Sequence, residues 1–427
     1  MTDVLRGLLG LAVLVAIAIA LSGNRRAIQP RVVFAALGMQ VAIGALVLFV
    51  PWGRVALAAA AGAVNHVIEY GNKGIEFLFG GLVSAKMFEV FGDPGFVFAL
   101  RVLPAIIYVS ALIAVLYHLG IMRWVVVGLG VLFQKLLGVS KIESFSAVTT
   151  IFLGQSEMPA VLKPFTKQLH GAELFCVMTS GMAAIAGSLL AGYAGLGVKL
   201  EYLIAASFMA VPGGLLFAKL IYPSTEPSTI QFDEIRFDEH PSTNMIEAAA
   251  SGAAVGMRVA VNVGAMLIAF VGLIALLNGM VGGIMGWFGH PELNIETLLG
   301  YVFSPIAWLI GVPWEHADIG GNLIGQKLIL NEFVSYVSFA PYLKDPATVA
   351  AAGLTVLDPK TIVILSFALC GFANFSSIAI LTGGFGAVAP HLRPQVARFG
   401  LRVVAAATLS NLASATIAGA FIGAAAT

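Results

Sequence analysis

Apolar residues run through this chain in long blocks, and the few polar residues that interrupt them carry most of the information. Residues 4–22, 32–50, 101–119, 173–192, 202–222, 257–280, 361–383 and 399–425 are each apolar enough, and close enough to about 20 residues, to predict a membrane-spanning helix. Two further apolar regions do not read as simple spans. Residues 142–169 contain Gly154-Gln155-Ser156-Glu157-Met158-Pro159, an amide, a hydroxyl and a carboxylate side by side at a Gly/Pro break. Residues 298–343 contain Gly311-Val312-Pro313-Trp314 and then Leu330-Asn331-Glu332-Phe333. Lipid does not tolerate exposed irregular backbone, so each region is expected to dip into the membrane and return on the same side, its turn lining a cavity. Between the second and third spans, residues 51–99 are less regular. Glu69, Lys73, Glu76, Lys86 and Glu89 among apolar neighbours predict amphipathic helices at the interface or against neighbouring subunits, with His66 an interfacial residue.

Composition agrees. Of 427 residues, 59% are hydrophobic and 11% charged, about half the charged share of a soluble chain. This is an integral membrane protein. The net charge of +1 offers no basic surface for nucleic acid. Cys176 and Cys370 lie in apolar segments without metal-ligand spacing and are expected to be buried thiols. Arginines at 25, 26 and 31, then Arg123, Lys135 and Lys141, then Arg393, Arg398 and Arg402 place alternate loops in the cytoplasm and both termini outside. The long polar segment from Pro223, with its acidic run at 233–239, is expected to be a solvated cytoplasmic connection.

Two parts of the chain look alike. Hairpin, span, span over 142–222 is echoed over 298–425, and an odd number of crossings separates the copies, so their orientations are opposite. Inverted repeats with broken helices in matching places characterise secondary transporters, whose sites lie where the breaks converge. The candidate chemistry is Gln155, Ser156 and Glu157; Asn331 and Glu332; and Phe372, Asn374 and Ser377. One charged residue at a span's centre costs about 2.5–3.5 kcal/mol. Either glutamate could be offset structurally, Glu332 by Lys327, and Asn374 and Ser377 could be glue between helices. The set is rich in donors and acceptors and has no cation cluster, which favours a neutral, polyhydroxylated solute over a phosphorylated one.

Gly154-Gln155-Ser156-Glu157, Asn331-Glu332-Phe333-Val334 and Cys370-Gly371-Phe372-Ala373-Asn374-Phe375-Ser376-Ser377 resemble, in this order, the three signature motifs of the concentrative nucleoside transporters. The resemblance covers essentially the whole chain. It implies eight spanning helices with two re-entrant hairpins, a homotrimer, and an elevator movement of a transport domain against a scaffold. The corresponding units are scaffold helices over 1–141, a first transport half over 142–222, a cytoplasmic connection over 223–253, a scaffold helix over 254–290 and a second transport half over 291–427. By the same resemblance, Gln155, Ser156 and Glu157 face the nucleobase, with Phe372 and Leu189 in apolar contact with it, and Glu332, Asn374 and Ser377 take the ribose. The family's sodium site maps to Thr150, Leu153, Ala184 and Ile185, mostly through backbone carbonyls. Sodium-coupled members usually carry an asparagine in place of Thr150 and a hydroxyl in place of Ala184, and Glu157 beside this site could take up a proton instead, so Na+ and H+ both stand as coupling ions. The expected setting is a bacterial inner membrane, with no cofactor beyond the coupling ion. Pyrimidine nucleosides such as uridine, and purine nucleosides, both fit.

Other functions fare worse. An intramembrane enzyme using Glu157 and Glu332 as acid and base lacks a nucleophile–base pair, a His-rich metal motif or a phosphate loop. The Trp314-Glu315-His316-Ala317-Asp318 run lacks zinc spacing. A channel would need a continuous polar pore. A symporter for another neutral polar solute remains compatible with the residues alone.

Overall fold

The computed structural model describes residues 3–91, 96–226, 228, 230, 242–290 and 293–425, and these contain helices, turns and no strand. The acidic run at 233–239 lies outside the described residues. In chain order the main helices are α1 (Asp3–Ala20), α2 (Pro30–Gly44), α3 (Pro51–Phe79), α4 (Leu103–His118), α5 (Ile121–Leu137), α6 (Lys141–Thr149), α7 (Met158–Val161), α8 (Gly171–Ala183) and α9 (Gly187–Gly195). They continue with α10 (Leu200–Ile221), α11 (Met245–Gly286), α12 (Ile295–Leu309), α13 (Ala317–Ile329), α14 (Glu332–Phe339), α15 (Pro359–Leu369), α16 (Ser376–Val388) and α17 (Arg393–Ala425). Among the described residues six helices are long and apolar enough to cross a membrane, and Val4–Ala20, Ile295–Leu309, Pro359–Leu369 and Ser376–Val388 are shorter apolar helices.

Three expectations change. The stretch after Pro51 is one 29-residue helix, α3, because proline at its first position sets the helical φ where no N–H is needed. The region expected as a hairpin over 298–343 resolves into a separate helix, α12, and a tighter pair, α13 and α14, after Pro313. The helix expected from Met257 begins at Met245, inside the connection expected over 223–253, because Asn244 caps it: its side chain accepts the Glu247 N–H. Helix α5 forms over a stretch for which no element is predicted. With α5 and α12 included, both copies share one order: a helix, a helix–turn–helix, an apolar helix broken in the middle and a long unbroken helix.

The fold rests on how the broken spans meet. Helix α8 stops at Ala183 and the chain resumes as α9 at Gly187; α15 stops at Leu369 and resumes as α16 at Ser376. Each stop leaves carbonyls without N–H partners in an apolar interior. Asn411 of α17 donates to the Ala183 carbonyl at 2.6 Å. Lys327, in the last turn of α13, donates to the Ala368 carbonyl at 2.8 Å and to Asn411 Oδ1 at 2.7 Å. A cation suits the negative end of a helix dipole, which accounts for a fully buried lysine here. At the crossing sits Gly371, with φ +147°; a Cβ there would lie 2.5 Å from Asn411 Oδ1 and 2.6 Å from the Ala183 carbonyl oxygen. Only glycine fits.

The base of each copy is pinned as well. Ser140 and Glu143 form a capping box at the start of α6, and Glu143 is paired with Lys219 of α10 at 2.5 Å. Ser140 Oγ also donates to Glu173 of α8 at 3.0 Å. In the second copy His316, at the start of α13, lies 3.2 Å from Asp358, the cap of α15. Helices α1 and α2 pack against α10 and α17. Helices α4 and α11 pack on each other, and Gly252 and Gly256 let the backbones meet: a Cβ at Gly256 would lie 2.7 Å from the Ile107 Cα. Small residues four apart are the usual means of close helix packing in lipid.

Gly371→Ala is expected to destabilise the protein by about 2–3 kcal/mol, through a glycine-only backbone conformation plus the clash. Gly383→Ala, with open space around its Cβ, is expected to stay within about 0.5 kcal/mol of the parent. Thermal unfolding in detergent of the two variants checks this; equal midpoints would contradict it.

Candidate functional site

Each turn is tied to the break of its own copy by one matching backbone bond. In the first, the Gly187 N–H donates to the Phe152 carbonyl at 3.3 Å; in the second, the Phe375 N–H donates to the Leu328 carbonyl at 3.1 Å. The copies are also laced to each other. Gln155 Nε2, on the first turn, donates to Ser377 Oγ on α16 at 2.6 Å, and Ser377 Oγ in turn donates to the Phe372 carbonyl at 2.7 Å. Glu332, at the second turn, accepts from Tyr193 OH on α9 at 3.1 Å through Oε1 and from Asn374 Nδ2 at 2.9 Å through Oε2. Tyr193 itself packs between the rings of Phe333 and Tyr336.

These groups enclose a cavity of about 390 Å³, lined by both turns, by both breaks and by one face of α11. Its volume lies in the range of small-molecule pockets. All eight residues expected to meet a substrate line it: Gln155, Ser156, Glu157, Leu189, Glu332, Phe372, Asn374 and Ser377. The N-termini of α9, α14 and α16 converge here, turning the positive ends of three helix dipoles toward the cavity. The cavity's side chains are not self-sufficient. Gln155 Oε1 and Asn331 Nδ2 are buried and make no hydrogen bond, and an unmade buried bond costs about 1–3 kcal/mol. Gln155 spends its donor on Ser377; Asn331 spends its acceptor capping α14 through the Val334 N–H at 2.9 Å. An acceptor and a donor are thus left over in one cavity, which also holds two carboxylates and no lysine, arginine or histidine.

The alternative partner for Glu332 is not taken: Lys327 is committed to Ala368 and Asn411. Glu157 turns back on its own turn and accepts the Gly154 N–H at 2.9 Å. Thr150, Leu153, Ala184 and Ile185 do not line the cavity. They sit beside it, in the first turn and the first break, the two being joined by the Phe152–Gly187 bond. The Thr150 hydroxyl donates to the Ala147 carbonyl at 2.8 Å. Among the described residues no backbone N–H reaches the carbonyls of Thr150, Leu153, Ala184 or Ile185.

Several contributors were not identified from the sequence. Ser188, Asn262 and Ile380 line the cavity and Tyr193 orients Glu332. Tyr193 could have been found, being four residues past Leu189 and so on the same helical face. Asn262 could have been noticed as the lone polar residue between Val259 and Leu277. His316 lies at the base of α13, paired with Asp358 and away from the cavity, and no metal-holding cluster of His, Cys, Asp or Glu occurs among the described residues.

Three family models match the chain in succession: the N-terminal part of the Na+-dependent nucleoside transporters over residues 9–82, a nucleoside-recognition gate over 99–199, and the transporters' C-terminal part over 202–419. The chain is 47% identical to the nucleoside permease NupC of Helicobacter pylori, over 97% of both chains. It is 34% identical to the human sodium/nucleoside cotransporter 1, over 96% of this chain and 62% of that one. Among solved structures it resembles CNTnw in an inward-facing substrate-bound state, with 54% identity, a TM-score of 0.94 and coverage of 100% of this chain and 99% of that one. A substituted form of CNTnw in an outward-facing state matches with a TM-score of 0.95. These relatives are transporters and not enzymes. With its three motifs assembled around one cavity, its full length matched and its fold shared, the chain belongs to the concentrative nucleoside transporter family.

Proposed function

We propose that this protein imports nucleosides, uridine among them, by symport with sodium. The observation that carries the reading is the leftover pair in the cavity, Gln155 Oε1 and Asn331 Nδ2, beside a carboxylate already oriented by Tyr193 and Asn374. A nucleobase edge offers complementary donors and acceptors, and a ribose diol donates to a carboxylate. In this reading Gln155, Ser156 and Glu157 meet the base, Phe372 and Leu189 contact it through apolar surface, and Glu332, Asn374 and Ser377 hold the ribose. Four carbonyls without backbone N–H partners, at Thr150, Leu153, Ala184 and Ile185, supply the several oxygen ligands a hard cation needs. Their location between the first turn and the first break means a cation there would fix the backbone that positions Gln155. One cation moving inward with a neutral solute gains about 2.3 kcal/mol per 100 mV, enough to drive accumulation.

Movement in this reading is of an elevator kind. The laced turns and breaks form one body with α17, and α4 with α11 forms the rail. In the full membrane topology α1 counts as the first span and the α15–α16 pair as the seventh, giving eight spans, with both turns re-entrant and the termini outside in a bacterial inner membrane. Exposed apolar side chains on α3, including Trp52, Val55, Tyr70 and Phe77, suit lipid and neighbouring copies in a homotrimer.

Radiolabelled uridine uptake into proteoliposomes tests the proposal. Accumulation under an inward sodium gradient, and none without a gradient, is expected. Accumulation under a proton gradient alone would move the coupling to Glu157, and failure under both would defeat the nucleoside reading. Glu332→Gln is expected to weaken uridine binding about 10- to 100-fold, the span of one charged hydrogen bond. Unchanged uridine affinity in that variant would remove Glu332 from the sugar site.

A further inference from the structure

One polar group of a nucleoside has no partner in the assignment above, and this step rests on that assignment. Glu332 and Asn374 grip the ribose diol, and Ser377 already exchanges bonds with Gln155 and Phe372. In a β-ribofuranoside the 2′ and 3′ hydroxyls lie on one face of the ring and C5′ on the other. A sugar held by its diol therefore directs its 5′-hydroxyl away from the Glu332 carboxylate, and the part of the lining that belongs to neither turn nor break is α11. Val259, Asn262, Val263 and Met266 form one helical face on the cavity, spaced three and four residues apart. Asn262 is the one polar residue on it. Its side chain is exposed, and its amide makes no hydrogen bond among the described residues. Helix α11 packs against α14, whose first residue is Glu332, which puts this face at the sugar end of the cavity.

We infer that Asn262 hydrogen-bonds the 5′-hydroxyl and is a specificity-determining residue for transport. An amide can both donate to and accept from a hydroxyl, so it satisfies the group in either orientation. The same wall refuses a 5′-phosphate. A nucleotide would bring its charge against Val259, Val263 and Met266, in a cavity with two carboxylates and no cation. Because α11 belongs to neither copy of the repeat, the contact exists only while the turns sit at this level of the helix. Asn262 thus reads the sugar in one position of the transport cycle and releases it when the turns move on.

The test is competition against labelled uridine by uridine, 5′-deoxyuridine and 2′-deoxyuridine, in the wild type and Asn262→Ala, in proteoliposomes. The wild type is expected to prefer uridine to 5′-deoxyuridine about tenfold, the worth of one hydrogen bond. In Asn262→Ala that preference is expected to fall to about one through a loss of uridine affinity alone. The preference for uridine over 2′-deoxyuridine should persist, which shows that the variant is folded and its diol site intact. A 5′-deoxyuridine preference that is absent in the wild type, or unchanged in the variant, would overturn the inference. Wild-type protein that does not take up uridine would instead defeat the nucleoside assignment on which it rests.

Discussion

An interrupted helix in an apolar interior must find partners for its broken ends, and that demand organises this protein. Two apolar helices stop midway, and one carbonyl at each stop is met by a side chain, an asparagine at the first and a lysine at the second. Asn411 takes Ala183, and Lys327 takes Ala368 and Asn411 together. The crossing is close enough that position 371 has room for a hydrogen and nothing larger. A lysine in such a setting would be costly as an isolated charge. Here it acts as a helix cap, and the expense is returned as a fixed relation between the two halves of the chain.

The binding chemistry follows from that fixed relation. The breaks hold the turns through equivalent backbone bonds, Phe152 to Gly187 and Leu328 to Phe375. Each turn then reaches the other half: Gln155 to Ser377, and Glu332 to Tyr193 and Asn374. Substrate groups therefore belong to a body whose parts cannot shift separately without losing buried bonds. Gln155 and Asn331, whose other polar atoms hold the cavity's walls, keep one buried acceptor and one buried donor unspent on lining residues. The wall formed by α11 is of another kind, apolar and outside the repeat, with Asn262 its single polar residue. A site with one side built by the repeat and the other supplied by a separate helix suits a carrier whose body slides past a rail.

Much of this was legible in the sequence. A polar run at a Gly/Pro interruption located the first turn, the Asn331-Glu332 pair in an apolar run marked the second, and the order of elements exposed the repeat, because desolvation leaves few other reasons for Gln155, Glu157, Glu332 and Asn374 in such places. Helices α5 and α12 were harder to see. They have the composition of spans but lie beside the turns, and composition does not tell an apolar helix that crosses from one that packs. The sequence leaves open a pairing of Lys327 with Glu332: five residues of separation on paper become two helices in space, and the ammonium turns to the Ala368 carbonyl and Asn411, partners that no sequence pattern announces. Tyr193 and Asn262 escaped because each is one polar atom on an otherwise apolar face, meaningful only once the opposite wall is known.

The most direct test of the account is a density map of the protein in a bilayer mimic with uridine and sodium. The account predicts the nucleoside inside the cavity, its ribose between Glu332 and Asn374 and its base beside Gln155 and Phe372. Uridine density elsewhere on the protein, or a base and sugar in reversed order, would contradict it.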